Sequence, residues 1–249
     1  MTGARAASGD QARALDAAAG RSGVSTDALM AIAGFQCARL ARTLLESLPP
    51  SAPVAVLAGR GNNGGDALGC ARHLAAWGTP VRALALGDLT DPEASYSRQA
   101  CAAEAAGVEL RLAGPDLASA TDWALGSAAL VVDGLLGTGG TGTVRGAVAD
   151  AIGRINESPS MVLAIDVPSG LDATTGKPGG ACVRAGVTLM LAIPKSGCLV
   201  EGVGYLVGRL WLADIGVPDA AYRETGLMPP HFRSDSLEPF EPAIDRDST

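Results

Sequence analysis

Three acid-bearing turns and one lysine hold most of the chemistry this sequence could perform. The first turn is Gly59-Arg60-Gly61-Asn62-Asn63-Gly64-Gly65-Asp66. It contains GxGxxG between an apolar run and a helical one. There, glycines let the backbone turn tightly and approach an anion, and a helix N-terminus offers N–H groups to phosphate. Two carboxamides and a carboxylate are more polar than a structural turn requires, so the loop reads as a site for a dinucleotide-type ligand. The second turn is Asp133-Gly134-Leu135-Leu136-Gly137-Thr138-Gly139-Gly140-Thr141-Gly142-Thr143. The third is Asp166-Val167-Pro168-Ser169-Gly170-Leu171-Asp172. In both, an Asp ends an apolar run; a cap or an Asx-type turn is the plainer alternative. Asn, Asp and Ser oxygens gathered together suit a hard cation, with too few carboxylates for calcium and enough for a monovalent ion. Pro194-Lys195 follows a further apolar run. Lys195 suits neutralising a phosphate or the Asp cluster, against the alternative of a solvated loop lysine.

These turns need strands to carry them. Short apolar runs alternate with helical patterns: strands are expected at Val54–Ala58, Val81–Leu86, Val108–Leu112, Leu130–Asp133, Val162–Asp166, Val187–Ile193 and Tyr205–Ala213. Helices are expected at Ala67–Trp77, Pro92–Ala106, Leu117–Leu125 and Ala147–Asn156. Such alternation implies right-handed crossovers and a mostly parallel sheet with helices on both faces. The last two strands have no room for a helix between them, which puts one of the pair at a sheet edge. Two N-terminal helices precede the series: one to Arg21 capped by Asp10, and one over Ala28–Leu48 capped by Ser25 or Thr26. The fold class is therefore α/β and Rossmann-like, with one domain over residues 10–221 and an acidic, Pro-containing, loosely ordered tail over 222–249. In such sheets ligands sit beyond the carboxyl ends of the strands, so the three turns belong to one rim.

Composition narrows the partners. Nearly half the residues are apolar and 18% are charged, ample for a buried core. A net charge of −7 argues against nucleic acid, so any phosphate must be held by local N–H groups. The apolar runs are too short to span a membrane, and Met1–Asp10 has no apolar stretch of the secretory kind. The five cysteines show neither CxxC nor zinc spacing and read as free thiols of a cytoplasmic protein. His73, His231 and the three tryptophans read as structural.

Taken together, Gly61-Asn62-Asn63-Gly64-Gly65-Asp66, Asp133 to Gly139, Asp166-Val167-Pro168-Ser169-Gly170-Leu171-Asp172, Pro194-Lys195 and Asp214-Ile215-Gly216-Val217-Pro218 resemble the YjeF N-terminal family of NAD(P)H-hydrate epimerases. The resemblance runs in order over roughly residues 10–220. It implies a homodimer that interconverts the R and S forms of hydrated NADH or NADPH, serving a separate NAD(P)H-hydrate dehydratase. It also implies a bound potassium ion. Carried over by motif, the metal ligands fall on Asn63, Asp133 and Ser169. Substrate contacts fall on Asn62, Asn63, Gly64, Gly65, Asp66, on Gly137, Thr138, Gly139, Gly140, Thr141, Gly142, Thr143, and on Asp166. The chain departs from the family at Leu29-Met30-Ala31-Ile32-Ala33-Gly34, where Ala31 and Ile32 replace Glu and Asn. Ala67 replaces a Gly, and Gly140 an apolar residue.

The substrate class suggests a mechanism. A hydroxyl on C6 of the nicotinamide ring can be expelled by the adjacent ring nitrogen, leaving a planar cation that water re-enters from the other face. Asp166 is the expected acid–base group. Two other readings compete. A nicotinamide-dependent oxidoreductase would use Asp88 for a ribose hydroxyl. A binding or scaffolding protein would keep the fold and lose turnover, with the altered Leu29–Gly34 segment as its support. A P-loop NTPase is disfavoured, because no GK[ST] follows the glycines.

Overall fold

The computed structural model describes residues 6–49, 52–139 and 142–241. Seven parallel strands form the sheet: β1 (Val54–Ala58), β2 (Val81–Ala85), β3 (Glu109–Leu112), β4 (Leu130–Gly134), β5 (Met161–Ile165), β6 (Val187–Leu191) and β7 (Arg209–Ala213). The antiparallel β8 (Leu237–Pro239) completes it in the order β3-β2-β1-β4-β5-β6-β7-β8. β1, β4 and β6 are buried along their whole length, which is why they read as unbroken apolar runs. One face is covered by α1 (Gly9–Arg21), α2 (Thr26–Leu45), α3 (Asn62–Ala76), α4 (Ser95–Ala105) and α8 (Asp219–Thr225). The other is covered by α5 (Leu117–Leu125) and α6 (Gly146–Glu157). A short α7 (Gly204–Val207) lies between β6 and β7. The sheet is thus the expected Rossmann-like one.

The order reverses between β1 and β4, the point where such sheets open a crevice. Register does the rest. Leu57 pairs with Asp133, Ala58 with Gly134, and Asp133 with Ala164, so the tips of β1, β4 and β5 lie side by side.

Several expectations need correction. β7 pairs with β6 on one side and β8 on the other, so neither of the last two predicted strands is an edge; as expected, no full helix joins them, only a 3-10 turn at Ser196–Leu199 and α7. The tail is not loose as far as Glu241: α8 buries Ala221 and Tyr222, and β8 pairs its Leu237 with Ala213. The acidic composition hid a strand end in which Leu237, Glu238 and Phe240 are all buried. Ser8, not Asp10, caps α1, in a reciprocal capping box with Gln11. α2 is long and apolar enough, by length and composition, to cross a membrane, contrary to the reading of run lengths. Its apolarity reflects close packing on α3: a Cβ on Gly34 would lie 2.8 Å from the Gly69 backbone.

Candidate active site

The glycine-rich turn is shorter than its sequence suggests. Gly61 is the extended N-cap, and α3 begins at Asn62, five residues before the expected start. Asn62 to Asp66 therefore form the first turns of a helix. Gly64 and Gly65 serve packing: a Cβ on Gly64 would lie 2.0 Å from the Gly59 carbonyl oxygen, and one on Gly65 would lie 2.4 Å from the Met30 sulfur. Neither lines the crevice, which is a correction to their expected role as substrate contacts. No side chain caps the helix, so its first N–H groups face the crevice unclaimed by one.

That crevice is a cavity of about 500 Å3 at the strand tips, a size suited to a small-molecule ligand. Gly61, Asn62, Asn63 and Asp66 line it from α3. Gly137, Thr138 and Gly139 line it from the turn after β4, and Asp166 and Lys195 line it from the turns after β5 and β6. Leu29, Met30, Leu135, Leu136, Ile193 and Ile215 give it an apolar wall. Gly142 and Thr143 do not line it. They lie against Gly179 and Gly180, where Val144 bridges to Gly180. Gly140 and Thr141 fall outside the described residues.

Asp133 and Ser169 are fully buried beneath this floor. One Asp133 oxygen accepts from the Ser169 hydroxyl at 2.6 Å and the Leu135 N–H at 3.2 Å, and the other accepts from the Ser169 N–H at 2.9 Å. Burial pushes the Asp133 carboxyl up, and these hydrogen bonds offset only part of the effect. The Leu136 N–H donates to Ser169 Oγ at 2.8 Å, while Asn63 Nδ2 donates to the Leu136 carbonyl at 3.0 Å. The structure thus joins Asn63, Asp133 and Ser169 in one network. Asn63 Oδ1 is buried there without a hydrogen-bond partner among the described residues.

Asp166 leaves β5 in the left-handed region, with φ 67, a conformation costly for a residue bearing a Cβ. Its N–H donates to the Leu189 carbonyl at 2.7 Å, and its Oδ1 accepts from the Leu191 N–H at 3.2 Å. The same oxygen is ion-paired with Lys195, whose Nζ also donates to the Leu191 carbonyl at 2.5 Å. Lys195 is therefore no solvated loop lysine: it is buried and aimed at Asp166. Nearby Asp66 is pushed well above the carboxylate range by burial and then by Asp166 and Asp16, with Lys195 opposing.

Sequence reasoning missed Asp16 and Arg13, and it named Arg60 only as part of the glycine-rich turn, with no role of its own. Asp16 of α1 lines the cavity, and so do Arg13 and Arg60. The Asp16 carboxyl is pushed up to about 6 by the surrounding protein; the Lys195 charge pulls it down and Asp166 pushes it up. A signal existed: Asp16 falls on the Ala12–Ala19 line of α1, an acid interrupting a buried helix face. Asp88 plays no part, since it accepts from the Thr90 N–H at 2.8 Å in an exposed turn. Ala31 and Ile32 do not line the cavity; Thr26, Leu29, Met30 and Ala33 do so from α2. His73 packs edge-on to Phe35 at 5.3 Å, outside the site.

Comparison with known proteins agrees with this geometry. Residues 26–197 match the family described as YjeF-related protein N-terminus. An NAD(P)H-hydrate epimerase of Dehalogenimonas lykanthroporepellens is 39% identical over 207 residues, 83% of this chain and 78% of that one. An NAD(P)H-hydrate epimerase of Rhodopirellula baltica is 37% identical over 180 residues, 72% of each. A bifunctional NAD(P)H-hydrate repair enzyme of Pyrobaculum aerophilum is 39% identical over 201 residues, but this chain spans only 39% of its length. The crystal structure of yeast ynu0 superimposes with a TM-score of 0.80 at 20% identity, covering 95% of this chain and 100% of that one, a likeness of fold.

Proposed function

The chain belongs to the YjeF-related N-terminal family, and from that premise we propose that it is an epimerase interconverting the R and S forms of hydrated NADH and NADPH. The observation that carries this reading is the strained Asp166 carboxylate held by Lys195 in a cavity with one apolar wall. A flat ring can lie on that wall. A carboxylate beside it stabilises the cation formed when the ring nitrogen expels the C6 hydroxyl, an effect that is larger in a site shielded from water. The uncapped N-terminus of α3 suits the pyrophosphate, and Arg13 and Arg60 at the cavity lining add positive charge in an otherwise acidic protein.

Potassium belongs to the same proposal. Asn63 Oδ1 lacks a partner among the described residues, and the neighbouring side-chain groups offer oxygens, a set that fits a hard monovalent cation. Asn63, Asp133 and Ser169 would hold it. When bound, it would supply a fixed positive charge under the glycine-rich turn.

The second activity of the longer bifunctional relatives supports a separate dehydratase as the consumer of the S form. A homodimer and a cytoplasmic setting complete the proposal; the five unpaired cysteines fit a reducing compartment. The scaffolding alternative loses its support, because the altered positions 31 and 32 lie outside the cavity lining.

The test is to follow R-form hydrated NADH by chromatography. Wild-type protein is expected to produce the S form, and a folded Asp166→Asn variant to lose at least about 100-fold in kcat. Unchanged conversion by the variant would remove Asp166 from the mechanism.

A further inference from the structure

Epimerisation through a planar cation poses a problem that one carboxylate does not solve. The hydroxyl departs from one face of the ring and water enters at the other. One group must therefore give a proton while a different group takes one, and the two must start in opposite protonation states. Asp166 is fitted to the second task alone. Its Oδ1 already accepts from Lys195 and from the Leu191 N–H, so it is placed as an acceptor.

The donor has to be a second acid that opens into the same space. Asp16 meets that requirement. It reaches the cavity from α1 rather than from the strand tips. It is an exposed residue that lines the cavity, and among the described residues it has neither an ion-pair nor a hydrogen-bond partner. Its placement is fixed by a pinned N-terminal segment. The Ala7 N–H donates to the Pro194 carbonyl at 2.8 Å, the Gly9 N–H donates to Thr174 Oγ1 at 3.0 Å, and Arg13 donates to the Thr138 carbonyl at 2.6 Å. At its far end, Arg21 pairs with Glu224 of α8. The charged and titratable groups around Asp16 are Arg13 of its own helix, Arg60 just before α3, Asp66 of α3, Asp166 and Lys195 at the strand tips, and Tyr222 of α8. Desolvation by the surrounding protein pushes the Asp16 carboxyl up to about 6; the Lys195 charge pulls it down and Asp166 pushes it up. Asp66 lines the same cavity and is also pushed up, but it is only 8% exposed, whereas Asp16 is exposed and can exchange its proton with water.

We propose that Asp16 is the proton donor of the reaction and Asp166 its proton acceptor, the two acting as a pair across one cavity. Asp16 gives its proton to the C6 hydroxyl as the C–O bond breaks, and water leaves while the ring nitrogen supplies the electron pair. A water oxygen then bonds to C6 from the other face and loses its proton to Asp166. Asp166 then releases its proton to solvent through the cavity opening and re-forms its pair with Lys195, and Asp16 takes up a proton from solvent, which closes the cycle. This assignment rests on the epimerase reading above.

The experiment compares wild type, Asp16→Asn and Asp16→Glu for R-to-S conversion between pH 5 and 9, with the uncatalysed rate subtracted. Asp16→Asn is expected to lower kcat by on the order of 100-fold or more with little change in KM. The fall of wild-type activity with rising pH, as the acid loses its proton, should vanish in Asp16→Asn and return in Asp16→Glu. A folded Asp16→Asn protein, checked by its thermal midpoint, that keeps the wild-type rate and pH profile overturns the donor role while leaving the epimerase reading intact. Wild-type protein that leaves the R form unconverted overturns both.

Discussion

At the scale of single residues, the chemistry depends on side chains whose environment could not be inferred from their types. Asp133, Asp166 and Asn63 were legible because each ends a strand or opens a helix in a recognisable turn. That Lys195 is buried and paired with Asp166 was not, because pairing across 29 positions is a product of the sheet register. Asp16 was overlooked because a single acid in an Ala-rich helix resembles a solvated one. Gly64 and Gly65 belong to the motif but make room rather than contacts. Gly64→Ala pushes a methyl into backbone and is expected to cost about 3 kcal/mol or more, measured by denaturant unfolding. Gly65→Ala meets a Met30 side chain that can move and should cost about 1 kcal/mol. Equal, small losses for the two would contradict this reading.

At the scale of elements, the strands were the most legible part, since burial on both faces forces short unbroken apolar runs. Helix starts were less so: the glycines and asparagines of α3 disguise a helix N-terminus as a loop. The N-terminal helices also mattered more than their simple pattern suggested, because α1 and α2 close the cavity over the strand tips. Residues 31 and 32 of α2 do not line it, so the family's Glu and Asn are not needed there for binding. The double change Ala31→Glu with Ile32→Asn is accordingly expected to leave KM for R-form hydrated NADPH within about twofold, read from steady-state conversion. A tenfold drop in KM would mean that the original pair contacts the ligand after all.

At the scale of the whole molecule, the topological switch between β1 and β4 gathers four turns at one rim, and the buried Asn63–Asp133–Ser169 network ties three of them together. The proposed cation would join that network and so should stabilise the fold as a ligand does. Potassium is expected to raise the thermal midpoint of the wild-type protein and to leave that of Asp133→Asn unmoved. Equal shifts in both would place the ion elsewhere. The C-terminal part, which composition alone marked as loose, extends the sheet through β8, where the buried Glu238 carboxylate accepts from the Arg233, Ser234 and Asp235 N–H groups; sequence polarity is a poor guide where an acid is buried by such bonds.

The most direct measurement is to incubate wild-type protein with R-form hydrated NADH in 18O-enriched water and to separate the products by chromatography with mass detection. Loss and return of water at C6 predicts that the S form appears and carries solvent oxygen in its hydroxyl. An S form that retains its original oxygen, or an R form that persists unchanged, would contradict the account.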